Sequence, residues 1–221
     1  MKKLDTIIFD LDGTLIDTNQ IIIDSFKATF QEHFPKEAIT LQDIKTFIGP
    51  TLEQTFSKYT NDPFLIQDMI DSYRKHYVEN EMGSFKIYPD VIEVLEDLKS
   101  QNYNMAILTS KFKEAAWPSF TYYNLDRIFD VFISLDDVKK PKPHKDAVNT
   151  VLSHFPESDG AIMIGDNQGD ILAGKNANIY SAGVAWSLKG AAHLMEVNPD
   201  FMLADMNDIY RIIKIINKGD R

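Results

Sequence analysis

The chain has 221 residues, 44% of them hydrophobic and 25% charged, with a formal net charge of -10 and no cysteine. That length suits one large domain, or one domain carrying an insertion, with enough core to fold without covalent staples. Lack of cysteine excludes disulfides, thiolate metal sites and a cysteine nucleophile, and the acidic balance excludes a general nucleic-acid surface, which needs a basic footprint.

The amino terminus, Met1-Lys2-Lys3-Leu4-Asp5, is charged, and the apolar run behind it is too short for a secretory signal. No apolar stretch is long enough to cross a bilayer. The expectation is a cytoplasmic protein with no membrane partner; oligomeric state is not legible. Net negative charge repels an anionic substrate at long range. A site for such a substrate must therefore supply positive charge locally, from a metal ion, a lysine or helix amino termini.

In chain order, the first apolar run is Ile7 to Phe9, which ends in Asp10 and Asp12. From Thr18 to Met82 no strand pattern occurs. Ile22, Phe26 and Phe30 recur at helical spacing, as do Leu52 and Phe56, and then Ile66, Met69, Ile70, Tyr73 and Tyr77. Gly49-Pro50 marks a turn among them. This region reads as an insertion of about four helices, occupying 17–83, with a core made of 1–16 and 84–221. After it, Val91 to Lys99 carries Val91, Val94, Leu95 and Leu98 on one face of a helix. Apolar runs follow at Met105–Leu108, Val131–Leu135, Ala161–Ile164, Ala182–Trp186 and Phe201–Leu203, with further amphipathic helices at Asp146–Phe155 and Asp208–Ile216. Strands alternating with helices predict an α/β fold: a Rossmann-like, doubly wound, mostly parallel sheet with an inserted helical cap. In such sheets chemistry gathers at the carboxyl ends of the strands.

Those ends are polar. Asp10 and Asp12 lie two residues apart, so an extended chain would aim both at one pocket. Two such carboxylates are costly together unless one is protonated or a cation lies between them. Magnesium takes oxygen ligands and keeps several waters, so it needs few protein groups. Asp10 could ligate it and still present an oxygen as nucleophile toward phosphorus, and Asp12 could act as acid and then base. Gly13 lets backbone approach a ligand. Thr109 offers a hydroxyl to a phosphoryl oxygen, and Lys140, in "KPKP", offers a fixed positive charge. "IGDNQGD" spaces Asp166 and Asp170 by one helical turn. Nucleophile, hydroxyl, cation and metal carboxylate are the requirements of phosphoryl transfer.

Taken together, Asp10-x-Asp12-Gly13-Thr14, Thr109, Lys140-Pro141 and Gly165-Asp166-(x)3-Asp170 resemble the four ordered motifs of the haloacid dehalogenase superfamily. The resemblance covers essentially the whole chain. It implies Mg2+ as cofactor and a small phosphorylated substrate. Asp10 would be nucleophile and metal ligand. Asp12 would be the acid and base, with its backbone carbonyl also on the metal. Thr109, with Gly13, Thr14 and Ser110, would hold the phosphoryl group, and Lys140 would neutralise Asp10 and the transferring phosphate. Asp166 would ligate the metal, and Asp170 would hold Asp166 or a metal-bound water. "FIGPTLEQTF" (47–56) and "SLDDVKKPKP" (134–143) further resemble the phosphoglycolate-phosphatase group and its pyrophosphatases from Gram-positive bacteria. The chain departs from the group at Asn178, in place of a glycine, at Ser110, in place of an asparagine, and at His144, in place of an acid.

Plainer readings stand beside these. Thr109 or Ser110 could cap a helix, and Lys139 and Lys140 could be a solvated pair. Lys142 also precedes a proline but lacks the x-Pro spacing of Lys140. Lys111 reads as a surface residue that could reach a substrate oxygen. Lys45, Arg74 and Lys75 read as solvated, Tyr73 and Tyr77 as core, and Trp186 as packing at its strand's end. Gly49 could meet substrate with bare backbone or only make a turn. Alternative activities on the same core are a sugar-phosphate phosphomutase, a dehalogenase, which would not need an acid at position 12, and a binding module without turnover.

Overall fold

The computed structural model describes residues 3–81 and 85–219. The expected boundary at 83/84 lies outside the described residues. Backbone contacts divide the chain into two units, one of residues 1–16 with 87–221 and one of residues 17–86.

Elements of the first unit alternate as the apolar runs do. They are β1 (Thr6–Phe9), α5 (Val91–Ser100), β4 (Asn104–Leu108), α6 (Lys113–Tyr122), β5 (Val131–Ile133), α7 (Lys145–Leu152) and β6 (Ala161–Gly165). Then follow α8 (Gln168–Asn176), β7 (Tyr180–Val184), α9 (Ala191–Met195), β8 (Phe201–Leu203) and α10 (Asp208–Lys218). Two short strands, β2 (Ile16–Asp17) and β3 (Lys86–Ile87), pair where the chain passes between the units.

The main sheet has six parallel strands in the order β5-β4-β1-β6-β7-β8. From β1 the chain builds outward through β4 to β5, then crosses back to β6 on the other side of β1. The order reverses at β1, so the carboxyl end of β1 faces the crevice where open α/β sheets bind ligands. Ile7, Ile8 and Phe9 are fully buried because β1 is covered on both faces. On one face Ile8, Ala106, Leu108 and Met163 pack with Ala147, Val148 and Val151 of α7 and Ala173 of α8. Each large aliphatic side chain buried this way contributes about 1.5–3 kcal/mol. Helix α10 buries the stripe Ile209, Ile212, Ile213 and Ile216, which is the i, i+3, i+4, i+7 pattern of a helix with one apolar face.

Several boundaries differ from expectation, among them those of β5 and β7. The run from Val131 stops at Ile133, because Ser134 donates both its N–H and its hydroxyl to Asp137 Oδ2 (2.8 and 2.6 Å) and opens a short 3-10 turn. The seventh strand begins earlier, at Tyr180, and ends at Val184, before Trp186. Helix α6 had no counterpart in the sequence reading; Pro118 inside it and the exposed Trp117 blur its pattern. Asn178 takes a left-handed backbone (φ +57°), as asparagine can in place of glycine.

The second unit contains α1 (Asn19–His33), α2 (Leu41–Phe47), α3 (Leu52–Phe56) and α4 (Pro63–Glu81). Its core is aromatic: Phe26 lies 4.6 Å from Tyr73 and 5.2 Å from Phe47, and Phe30 lies 4.7 Å from Tyr59, between ring centroids. Helices α2 and α3 start in reciprocal caps. Thr40 Oγ accepts from Asp43 N–H while Asp43 accepts from Thr40 N–H, and Thr51 and Gln54 do the same. Gly49 has φ +107° in the turn between α2 and α3, a conformation that requires glycine. Tyr73 and Tyr77 are buried, whereas Arg74 and Lys75 are exposed and Lys45 is half-buried. Among the described residues no helix is long and apolar enough to cross a membrane.

Candidate active site

Strand β1 delivers Asp10 to the switch point, with its N–H bonded to Ile164 O of β6 (2.9 Å). The chain then turns tightly: Gly13 N–H donates to Ile16 O and Leu15 N–H to Leu11 O (2.8 and 2.9 Å). Gly13 has φ +80°, and a Cβ there would lie 2.5 Å from Asp166 Oδ2. Only bare backbone fits beside that carboxylate. At the end of β6, a Cβ on Gly165 would overlap the Asp170 carboxyl carbon. Gly165→Ala is therefore expected to destabilise the protein by about 1–3 kcal/mol and to displace Asp170. A thermal melt within experimental error of wild type would contradict that packing.

Asp10, Asp166 and Asp170 are at most 7% exposed. Each offers a carboxylate oxygen, and the three oxygens lie within 4.8 Å of one another. Asp12 is not part of this trio; its Oδ1 accepts from Lys111 Nζ at 2.7 Å.

The buried cation of the site is Lys142, which corrects the expectation for Lys140. Lys142 Nζ donates to Asp10 Oδ1 (2.7 Å), Asp170 Oδ1 (2.5 Å) and Leu108 O (2.8 Å), and its side chain is 5% exposed. Three acceptors match the three protons of an ammonium. Lys140 is exposed. Both lysines precede a proline, and the x-Pro spacing that favoured Lys140 does not decide between them. What separates them is that Lys142 lies against the start of α8, where a Cβ on Gly169 would sit 3.9 Å from Lys142 Cβ. Asp170 is held a second time, by Asn167 N–H on Oδ2 (3.0 Å), so both its oxygens are engaged. Asp10 Oδ2 and the Asp166 carboxylate accept no hydrogen bond among the described residues.

Charge balance follows from this geometry. Burial pushes the Asp10 carboxyl up to about 7; Lys142 opposes that shift and Asp170 adds to it. Asp166 is raised well above the usual carboxylate range, first by burial and then by Asp10 and Asp170. Burial would lower the Lys142 ammonium, but Asp10 and Asp170 outweigh it and the net shift is upward. The cluster thus holds more buried carboxylates than cations, and a divalent ion would relieve the excess. Hard oxygen donors and bare backbone at Gly13 fit Mg2+.

The sign of the pH dependence is fixed by the raised Asp10 carboxyl. Its contribution to stability is complete below the unfolded-state value near 4 and is lost as pH rises through about 7. In chelator, melting temperature should fall from pH 5 to pH 8, and Mg2+ should reduce that fall. A melting temperature that rises over this range in chelator, and is indifferent to Mg2+, would contradict the crowding of carboxylates.

The other candidate residues are not part of the carboxylate trio. Thr109, at the end of β4, is buried; its Oγ accepts from Lys111 N–H (3.2 Å). Ser110 beside it is half-buried. Thr14 is fully buried, its hydroxyl has no hydrogen-bond partner among the described residues, and its carbonyl accepts from Trp186 Nε1 (3.2 Å). Ser187 Oγ donates to Asp166 O (2.7 Å), and Lys189 Nζ donates to Asn167 Oδ1 (2.8 Å). His144 caps α7, its Nδ1 accepting from Asp146 N–H (3.1 Å). Gly49 belongs to the helical unit. Sequence reading weighed Lys142 and Lys111 but preferred Lys140 to the first and a surface position for the second, and it missed Ser187 and Lys189. Lys142 was visible as the second lysine of "KPKP"; the others follow strand ends but carry no distinctive spacing.

A parallel sheet that reverses at β1, with acids and a buried lysine at its carboxyl ends, defines an α/β fold of the enzyme type with its candidate site at the switch point. Residues 7–184 match the family model described as haloacid dehalogenase-like hydrolase, and the chain belongs to that family. It is 38% identical over 98% of its length, and all of the relative's, to the pyrophosphatase PpaX of Bacillus cereus. Among solved structures, it is similar to a haloacid dehalogenase-like hydrolase of Streptococcus pneumoniae (26% identity, TM-score 0.81, 96% of this chain and 99% of that one). A predicted phosphoglycolate phosphatase of Haemophilus somnus shares the fold (24% identity, TM-score 0.81, 96% and 99% covered).

Proposed function

We propose that the protein is a Mg2+-dependent phosphohydrolase that works through an aspartyl-phosphate on Asp10, with inorganic pyrophosphate as its leading substrate and phosphoglycolate next. The observation that carries this reading is Asp10 itself. One oxygen is fixed on Lys142, and the other takes no hydrogen bond among the described residues, so the carboxylate is oriented and has an oxygen to offer. In the first step that oxygen attacks phosphorus, the bond from phosphorus to the leaving oxygen breaks, and Asp12 supplies a proton where the leaving group needs one. In the second step Asp12 takes a proton from water, the water oxygen bonds to phosphorus, and Asp10 departs as carboxylate. Lys142 would hold Asp10 and balance charge, and Thr109 would bind a phosphoryl oxygen. Asp10, Asp166 and Asp170, with the Asp12 carbonyl, are the groups that would hold Mg2+. When bound, that ion supplies charge neutralisation to carboxylate and phosphoryl oxygens. The choice of pyrophosphate rests on the 38% identical relative that carries that activity in its name.

A phosphate-release screen over pyrophosphate, phosphoglycolate, sugar phosphates and nucleotides, with and without Mg2+, tests the reading. Release that requires Mg2+ and is fastest from pyrophosphate is expected. Isomerised sugar phosphate without net release would point to the phosphomutase, and a flat profile in the presence of Mg2+ would end the hydrolase reading.

A further inference from the structure

We propose that Lys111 selects substrates whose leaving group carries its own anionic group, the second phosphate of pyrophosphate or the carboxylate of phosphoglycolate, over esters of neutral alcohols. This deepens the reading above and rests on it, because Asp12 marks the leaving-group side only if Asp12 serves the leaving oxygen.

Among the described residues, Lys142 and Lys111 donate to carboxylates of this site, and they differ in setting. Lys142 is enclosed, with three acceptors on its ammonium. It serves the nucleophile and the transferring phosphoryl group, which every substrate of the reaction has. Lys111 sits on Asp12 instead, with Nζ 2.7 Å from Oδ1, its side chain 19% exposed and that of Asp12 11% exposed. Its backbone is pinned on both sides. Lys111 N–H donates to Thr109 Oγ (3.2 Å), and Lys111 O accepts from Leu135 N–H (2.8 Å). The ammonium therefore projects from a fixed point beside the phosphoryl-binding Thr109 toward the residue that meets the leaving oxygen.

A positive charge there does little for a departing neutral alcohol. It does much for a leaving group with a second negative charge, which would otherwise approach a chain of net charge -10 beside a trio of buried carboxylates. The ammonium offers rotatable donors on a flexible stem, so it can turn from the Asp12 carboxylate to an incoming anion without moving the backbone.

The test compares kcat/KM of wild type, Lys111→Met and Lys111→Arg with Mg2+, on pyrophosphate, phosphoglycolate and glycerol 2-phosphate, whose leaving group is a neutral alcohol. A charge-assisted hydrogen bond corresponds to about tenfold to a hundredfold. Lys111→Met should lose about that much on the first two substrates and no more than about threefold on the third, and Lys111→Arg should keep most of the preference. Equal losses on all three substrates, or no loss on any, overturn the proposal, the former because Lys111 would then act through Asp12 alone. Should Lys111→Met fail to fold, as judged by circular dichroism and melting, Lys111→Gln carries the same comparison. A wild type that releases phosphate from none of the three defeats the hydrolase reading itself, an outcome distinct from unselective losses in the variants.

Discussion

Asp10→Asn should abolish Mg2+-dependent phosphate release, by about four orders of magnitude or more, while leaving the fold intact. The amide preserves the shape of the carboxyl and can still accept from Lys142, but it is a poor nucleophile and a poor ligand for Mg2+. Stability should hold or rise at pH 8 in chelator, because the substitution removes one of the buried carboxylates whose crowding pushes Asp10 up to about 7. Lost function with gained stability is the expected mark of an active-site group whose charge is retained for chemistry. Turnover undiminished in Asp10→Asn would refute the assignment. A variant that is inactive because it no longer melts cooperatively would show that Asp10 is structural.

Lys142→Ala and Lys140→Ala should differ sharply. Removing the Lys142 ammonium leaves Asp10 and Asp170 buried and facing one another without their shared cation. Loss of one partner of a buried pair costs about 3–5 kcal/mol, or roughly 10 °C in melting temperature for a chain of this size, and activity should fall with it. Mg2+ should restore part of the stability, because the ion also relieves the carboxylates. Lys140 is exposed, and its replacement should stay within about 0.5 kcal/mol with turnover near wild type. The reverse pattern, Lys140→Ala crippled and Lys142→Ala tolerated, would overturn the site as described.

That pair also shows where sequence reading stops. The sheet was legible because fully buried parallel strands are unbroken apolar runs, as at Ile7–Phe9 and Ala161–Ile164, and because α5 and α10 carry clean helical stripes. Asp10, Asp166 and Asp170 were legible as candidates because the first two follow such runs closely and Asp170 lies four residues after Asp166, one helical turn on. Strand ends, however, are decided by hydrogen bonds that spacing does not encode. Ser134 stops β5 two residues early through Asp137, and Trp186 lies beyond the end of β7, its indole N–H on Thr14 O. The choice between Lys140 and Lys142 is made by the tertiary contact of Lys142 with the start of α8, and the x-Pro spacing that favoured Lys140 carries no information about that contact. Lys111 read as a surface residue because lysine usually is one; its partner Asp12 is 99 positions away in sequence.

Rapid-quench labelling with 32P-pyrophosphate and Mg2+, followed by peptide mapping, tests the central claim most directly. Radiolabel is expected on the peptide containing Asp10, base-labile as an acyl phosphate is, appearing before steady state and lost as phosphate is released. Label on any other residue, or turnover with unlabelled protein at every quench time, would contradict it.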